Sequence, residues 1–487
     1  MSERPNIIIF NPDSYRGDVL GHLDNPGAHT PNLDALVRNG GVSYANAFSQ
    51  NPVCTPSRCS FMTGWYPHVH GHRSMKNMLD EHEPHLLPVL QDQGYYVWWG
   101  GKNDLVAVEE GSDYLKHCDT KYRPDDCATE YHVPEELPDD NPLRGVFYDG
   151  VMTKDGDGSV YHDRDAGHVD GAVDFINRFD GEQPVCLYLP LGLPHPAYRV
   201  EEEFYDLIDP NRLPERYPTP ENDLNSLNDL REAYGAPRVS EEQWVELRRV
   251  YYAMCAKADH LFGRVLEALR RNDMYEDALI IFLSDHGDFA GDYSLPEKTH
   301  MSLQDALIQC PFIIKPPASF RAASGVRNHL TELVDMTATV YDLLNIDPGY
   351  DSFGLSLLDS LGGDDSEIRE AVFAEVGARK GEEAFKNKDV KGMPPESFYS
   401  VQSSVALPVH EAGSYAVSCR THDHKYVRRP YSGDHELFDL NADPGELQNV
   451  CGRAEYKEVE QEMERRLLDF FATTADVLPR EQDSRRI

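Results

Sequence analysis

Cys54-Thr55-Pro56-Ser57-Arg58 sets a potential nucleophile and a fixed cation about one helical turn apart. The surrounding residues 49–64 read as a loop turning into a short helix, with Pro56 suited to its first position and Gly64 to its end. Cys54 then lies just ahead of a helix N-terminus, where unpaired N–H groups and the helix dipole favour negative charge. A nucleophile, anion-binding amides and the Arg58 guanidinium in one turn suit an anionic ester. A cysteine on its own is more often a small buried hydrophobe, so the rest of the chain must supply the chemistry around it.

Short apolar runs at residues 6–10, 95–99, 185–190, 278–283 and 311–315 have the pattern of strands buried on both faces. Polar residues follow four of them: Asp13 the first, Lys102 the second, His195 the third, Asp285 and His286 the fourth. In open α/β sheets, ligands bind outside the carboxyl ends of the strands. Two carboxylates and an imidazole form a set for a hard divalent cation. Taken singly, an aspartate there is an ordinary turn residue, and Lys102 or Lys298 an ordinary solvated lysine. Several of them share one topological position, which weakens those explanations.

Helices are expected over residues 30–40, 86–93, 167–179 and 241–271, with a further strand over 42–48. Strands alternating with helices over the first ~360 residues predict an α/β fold, a large, mostly parallel sheet flanked by helices. Residues 107–165 and 208–239 lack periodicity and are expected to be irregular, the first a loop insertion that shapes a site. Further on, short antiparallel strands are expected at 371–376, 414–418 and 424–428, with a final helix over 456–473. The expected division is a catalytic domain of residues 1–365 and a smaller α+β subdomain of residues 366–487.

The chain has 487 residues and carries 46 Lys+Arg against 84 Asp+Glu, a formal charge of −38. Such a surface repels nucleic acid and anionic membranes. An anionic substrate must therefore be drawn by a local cluster of cations and metal. No run approaches the ~18 apolar residues of a transmembrane helix, and no basic and apolar leader precedes the first strand. The expectation is a cytoplasmic enzyme without nucleic-acid or membrane partners. Nine scattered cysteines fit reduced thiols; Cys118 and Cys127 are the pair that could bridge a loop, and none suggests a zinc site.

Together these stretches resemble the type I, formylglycine-dependent sulfatase family of the alkaline-phosphatase-like superfamily. Cys54 to Arg58 is similar to the family's C-x-P-S-R signature, continued by Met62 to His68 and Gly71. Arg4 to Ile7 with Asp13, and Ser284 to Asp288, resemble its two metal strands. Gly101-Lys102, Pro194-His195-Pro196 and Lys298 fall in the family's order, and Glu436 to Glu446 resembles its C-terminal signature.

The resemblance implies that Cys54 is oxidised to formylglycine by a formylglycine-generating or anaerobic sulfatase-maturating enzyme. The hydrate then has one hydroxyl to attack sulfur and a second whose ionisation expels sulfate. The resemblance also implies a divalent cation, calcium with magnesium or manganese as alternatives, held by Asp13, Ser14, Cys54, Asp285 and His286. Arg58, Lys102 and Lys298 would neutralise sulfate oxygens, and His195 would donate to the sulfate or protonate the departing alcohol. Two positions depart from the pattern. Ser14 stands where many relatives have a second aspartate, and Asp104 where many have a histidine that assists the hydrate, which makes Asp104 the candidate base. The implied substrate is a sulfated sugar or a small organic or aryl sulfate. The alternatives are a phosphonate monoester or phosphodiester hydrolase and a catalytically silent binding homologue.

Overall fold

Ile7-Ile8-Ile9-Phe10 is apolar at every position, so both faces of this strand must be covered, and they are. In the computed structural model, which describes residues 4–108, 111–181, 183–221, 223–382 and 398–477, the strand Ile7–Asp13 is buried throughout. It lies inside an eight-stranded sheet. The order across the sheet is Gly325–Glu332, Val42–Phe48, Phe312–Lys315, Leu279–Leu283, Ile7–Asp13, Val185–Pro194, Tyr96–Gly100 and Thr120–Tyr122. Phe312–Lys315 alone runs against the other seven.

The period of two along a strand divides the core. Ile8 and Phe10 enter a layer with the 31-residue helix Glu241–Arg271, where the Phe10 ring lies 5.1 Å from Phe262 and 5.7 Å from Phe282. Ile7 and Ile9 enter the opposite layer, covered by the helices Cys54–Thr63, Leu86–Asp92 and Asp335–Leu344. The long helix begins where its sequence says, at a capping box between Ser240 and Gln243.

Several elements differ from the expectations. The helix at the cysteine motif starts at Cys54 itself, with Val53 as its cap, so Pro56 is the third helical residue. Pro56 is tolerated there because the first four amides of a helix have no internal partner. The stretch 107–165 is not one loop. Thr120–Tyr122 closes the edge of the main sheet, Ala128–Val133 pairs with Ser159–His162, and Tyr148–Met152 pairs with Tyr198–Glu201. These strands are short and largely half-exposed, so no alternation betrays them. Residues 208–239 contain the helix Asn225–Tyr234, which buries Leu227, Leu230 and Tyr234 on one face. The helix expected from residue 167 begins at Arg164, with Asp163 accepting from the Ala166 amide.

Toward the C-terminus, Val372–Val376, Ala416–Arg420, His424–Arg428 and Glu436–Asp439 form an antiparallel sheet packed on the helix Lys457–Thr474. It grips the main body beside the cysteine loop: the Glu375 amide donates to Gln50 O at 2.8 Å, and Asn51 Nδ2 donates to Glu375 O at 2.7 Å. All nine cysteines are free thiols, Cys118 and Cys127 included. Among the described residues, no helix is long and apolar enough to cross a membrane.

The loop that follows Leu279–Leu283 is tied down by charge. Asp292 is fully buried and accepts from Arg16 Nη1 at 2.6 Å, from Arg248 Nη1 and from the Tyr217 amide at 2.8 Å. Arg16 stands three residues beyond Asp13, and Arg248 is on the long helix, so one carboxylate joins three elements. Asp292→Ala should leave buried Arg248 without this carboxylate and Arg16 with Asp18 and the carbonyls of Asp288 and Phe289, and cost about 3–5 kcal/mol. The midpoint of chemical unfolding would report it, and an unchanged midpoint would remove this anchoring role.

Candidate active site

Four adjacent parallel strands deliver the site. Asp13 ends Ile7–Asp13, Asp285 and His286 follow Leu279–Leu283, His195 follows Val185–Pro194, and Lys102 follows Tyr96–Gly100. Gly101 makes the last of these possible. Its φ is +108°, and a Cβ there would stand 2.0 Å from Pro190 O, the carbonyl that receives the Lys102 amide at 2.8 Å. The helix Cys54–Thr63 lies across the same edge, held by Ser57 Oγ donating to Asp285 O at 2.5 Å.

Arg58 is completely buried and spans both aspartates. Its Nη2 donates to Asp13 Oδ2 and its Nε to Asp285 Oδ2, each at 2.8 Å. The other carboxylate oxygens face inward. His286 Nε2 lies 3.6 Å from Asp13 Oδ1 and 3.8 Å from Asp285 Oδ1, and Cys54 Sγ lies 3.3 Å from His286 Nε2 and 3.5 Å from Asp13 Oδ1. His286 Nδ1 donates to Gly287 O at 2.7 Å, so Nε2 carries a lone pair. A lone pair set against two carboxylate oxygens is unfavourable until a cation lies among them. The ligand atoms of Asp13, Cys54, Asp285 and His286 all fall within 4.8 Å of one another, so this buried group fits a divalent ion.

Ser14 supports that group. Its backbone is left-handed (φ 68°), which turns its amide onto Asp285 Oδ1 at 3.2 Å while its hydroxyl donates to Asp13 Oδ1 at 3.0 Å. The lone pairs of Ser14 Oγ stay beside the cluster.

Lys102 Nζ bridges Asp13 Oδ2 at 2.6 Å and Asp104 Oδ2 at 3.0 Å, and Arg58 Nη1 is 4.0 Å from the same Asp104 oxygen. Burial alone would raise both carboxyls. For Asp13, the charges of Lys102 and Arg58 outweigh burial and hold it well below the usual range; for Asp104, Lys102 and Arg58 do the same more mildly. Burial and then the Asp13 charge push the Cys54 thiol well above its ordinary value. A thiol raised in this way stays protonated and is a weak nucleophile.

Lys298 Nζ donates to His195 Nε2 at 2.8 Å, and His195 Nδ1 donates to Pro196 O at 2.6 Å. Desolvation, then the Lys298 charge, brings the imidazole down to about 3. In this arrangement the mobile proton of the pair is on the lysine. Beneath it lies Glu297, fully buried, 3.6 Å from Lys298 Nζ and 3.3 Å from the Tyr234 hydroxyl. The sequence carries no pattern that points to Glu297, or to the Asp292 anchor.

Residues 5–346 match the family model described as Sulfatase. The chain belongs to the sulfatase family. It is a sulfuric ester hydrolase by class. Arylsulfatase K of Mus musculus is 25% identical over 503 residues, covering 96% of this chain and 79% of the relative. Choline-sulfatase of Rhizobium meliloti is 27% identical over 474 residues, covering 92% and 82%. Among solved structures, the phosphonate monoester hydrolase of Agrobacterium radiobacter superposes with a TM-score of 0.76 at 21% identity, covering 97% of this chain and 96% of that one. That likeness shows the fold. The cysteine motif, both aspartates, Lys102, His195 and Lys298 all fall within the span matched by the sulfatase family.

Two predictions follow from this sulfatase geometry. Asp13→Asn should fold and lose bound metal, read as metal content after dialysis; full retention would exclude Asp13 as a ligand. For Glu297, burial pushes the carboxyl up from 4.5 to about 8 against the pull of Lys298. A raised carboxyl means the unfolded chain releases its proton first, so this group withdraws stability as pH rises from about 4.5 to about 8. Glu297→Gln should therefore gain stability over the native chain across that window and match it below. A constant difference between the two proteins would refute the assignment.

Proposed function

We propose that the chain hydrolyses sulfate esters through a formylglycine made from Cys54, with a divalent cation held by Asp13, Asp285, His286 and the modified residue, and Ser14 alongside. The observation that carries this is the convergence of Cys54 Sγ on Asp13 Oδ1 and His286 Nε2 beneath a fully buried Arg58. When present, the cation supplies Lewis-acid polarisation of a sulfate oxygen and the aldehyde hydrate supplies the attacking hydroxyl. The donor set, oxygen with one imidazole, accommodates calcium, magnesium or manganese.

The chain's own groups do the rest. Arg58 and Lys102 fix the carboxylates and offer positive charge to the non-bridging oxygens as bonding shifts from one side of sulfur to the other. Lys298, held by His195, stands as the proton donor to the departing alcohol, and His195 orients it. We assign Asp104 to holding Lys102 and Arg58 in place, since a carboxylate kept ionised by two cations is a weak base. Lys298→Ala should lower kcat by about 10²–10³.

Cys54 is 2% exposed at the start of a packed helix, so the maturating enzyme, of the formylglycine-generating or anaerobic type, must act before the fold closes. The mass of the 54–58 peptide from native protein tests this: unmodified cysteine throughout would support a silent homologue. Substrates in reach are the sulfated sugars and small organic or aryl sulfates, in keeping with the names arylsulfatase and choline-sulfatase. The same cation-rich site would receive a singly charged phosphonate monoester or phosphodiester. One preparation assayed on an aryl sulfate and the matching aryl phosphonate separates the two, and far slower sulfate release would overturn the sulfatase reading.

A further inference from the structure

A cavity of about 980 Å³ opens from Lys102 and His195, on the side where an ester's alcohol must lie if its sulfate sits among Arg58, Lys102 and Lys298. Residues of the 107–165 stretch and the start of the helix Arg164–Arg178 help to wall it. Its charged lining is Lys102, Arg123, Arg164 and Arg199 against the single carboxylate of Asp165. In a chain with 84 acidic and 46 basic residues, this lining reverses the overall sign.

Asp165 is already engaged. Its carboxylate accepts the Gly192 amide at 2.9 and 3.0 Å and the Leu193 amide at 2.7 Å, which shapes the strand leading to His195. Arg199 is partly compensated by Asp149 at 3.0 Å. Arg123 and Arg164 are different: both are exposed, and among the described residues neither side chain makes a hydrogen bond or ion pair. Two guanidinium groups without carboxylate partners, facing the same space as Lys102, are a receptor for an oxyanion.

We propose that the alcohol released by this enzyme carries an anionic group of its own, a carboxylate or a second sulfate, and that Arg123 and Arg164 receive it. This rests on the sulfate-ester reading above. It adds that a cationic leaving group is disfavoured and a neutral one gains nothing from this wall. Both arginines are solvated, so the preference weakens as ionic strength rises.

The test uses protein shown by mass to carry formylglycine. The substrates are para-carboxyphenyl sulfate, its neutral isostere para-carbamoylphenyl sulfate, hydroquinone disulfate, and para-trimethylammoniophenyl sulfate. The native enzyme should favour an anionic ester over the carbamoyl ester by about 10-fold or more in kcat/KM, the scale of a charge-assisted hydrogen bond. It should turn over the trimethylammonio ester most slowly. Arg123→Ala/Arg164→Ala should abolish the preference while leaving the carbamoyl ester within about 2-fold, because neither residue touches the sulfate group. Preference for the carboxylate alone or the disulfate alone tells which oxyanion the wall is built for. Turnover of the carbamoyl ester equal to both anionic esters, or a double variant with the native preference, overturns the proposal and leaves the sulfatase reading intact. Failure of matured protein to hydrolyse any of the four overturns that reading as well.

Discussion

A guanidinium with no exposed surface has to be paired, because an unpaired charge of that size in the protein interior costs several kcal/mol. Arg58 meets that demand with one oxygen from each of two aspartates on neighbouring parallel strands. The arrangement has consequences in both directions. It requires the helix Cys54–Thr63 to lie across the ends of Ile7–Asp13 and Leu279–Leu283, which places Cys54 at the pair. It also uses the outer oxygens, so that the inner ones converge with His286 Nε2 and Cys54 Sγ. The pairing that stabilises the buried cation thus also builds the seat for a second one.

Charge balance around this point is close. Asp13, Asp104 and Asp285 face Arg58, Lys102 and Lys298, while His195 and His286 are held neutral by desolvation. A divalent ion added to such a site makes it net positive, which suits a singly charged ester on a chain of formal charge −38. The cavity beside Lys102 continues the excess of cations outward, with Arg123 and Arg164 supplied by a stretch of chain that is acidic in sum. Rigidity comes from a second tier. Asp292 joins the loops after two site strands to the long helix, and the C-terminal sheet clasps residues 50 and 51 just ahead of Cys54.

Much of this was legible before any coordinates. Apolar runs four to six residues long can be buried strands, and a polar residue just past each end is a local feature of the sequence. Asp13, Lys102, His195, Asp285 and His286 are visible on that ground, and Cys54 with Arg58 by helical spacing. The α/β class follows from the alternation of elements. The boundaries are less secure, because caps are decided by individual hydrogen bonds, as at Val53 and Asp163.

What the sequence by itself determined is therefore which residue types stand at the strand ends and which face each strand buries. The tertiary structure decided their pairing. Lys298 meets His195 across 103 residues and Arg58 meets Asp285 across 227, separations over which no local pattern carries information. The strand Thr120–Tyr122 and the helix Asn225–Tyr234 form because a sheet edge and a neighbouring core were already there to receive them, not through strong propensity of their own. Arg123 and Arg164 look like any solvated arginines in the sequence. Only the folded wall, with Asp165 turned onto the backbone of Gly192 and Leu193, leaves them facing the cavity beside Lys102 without carboxylate partners among the described residues.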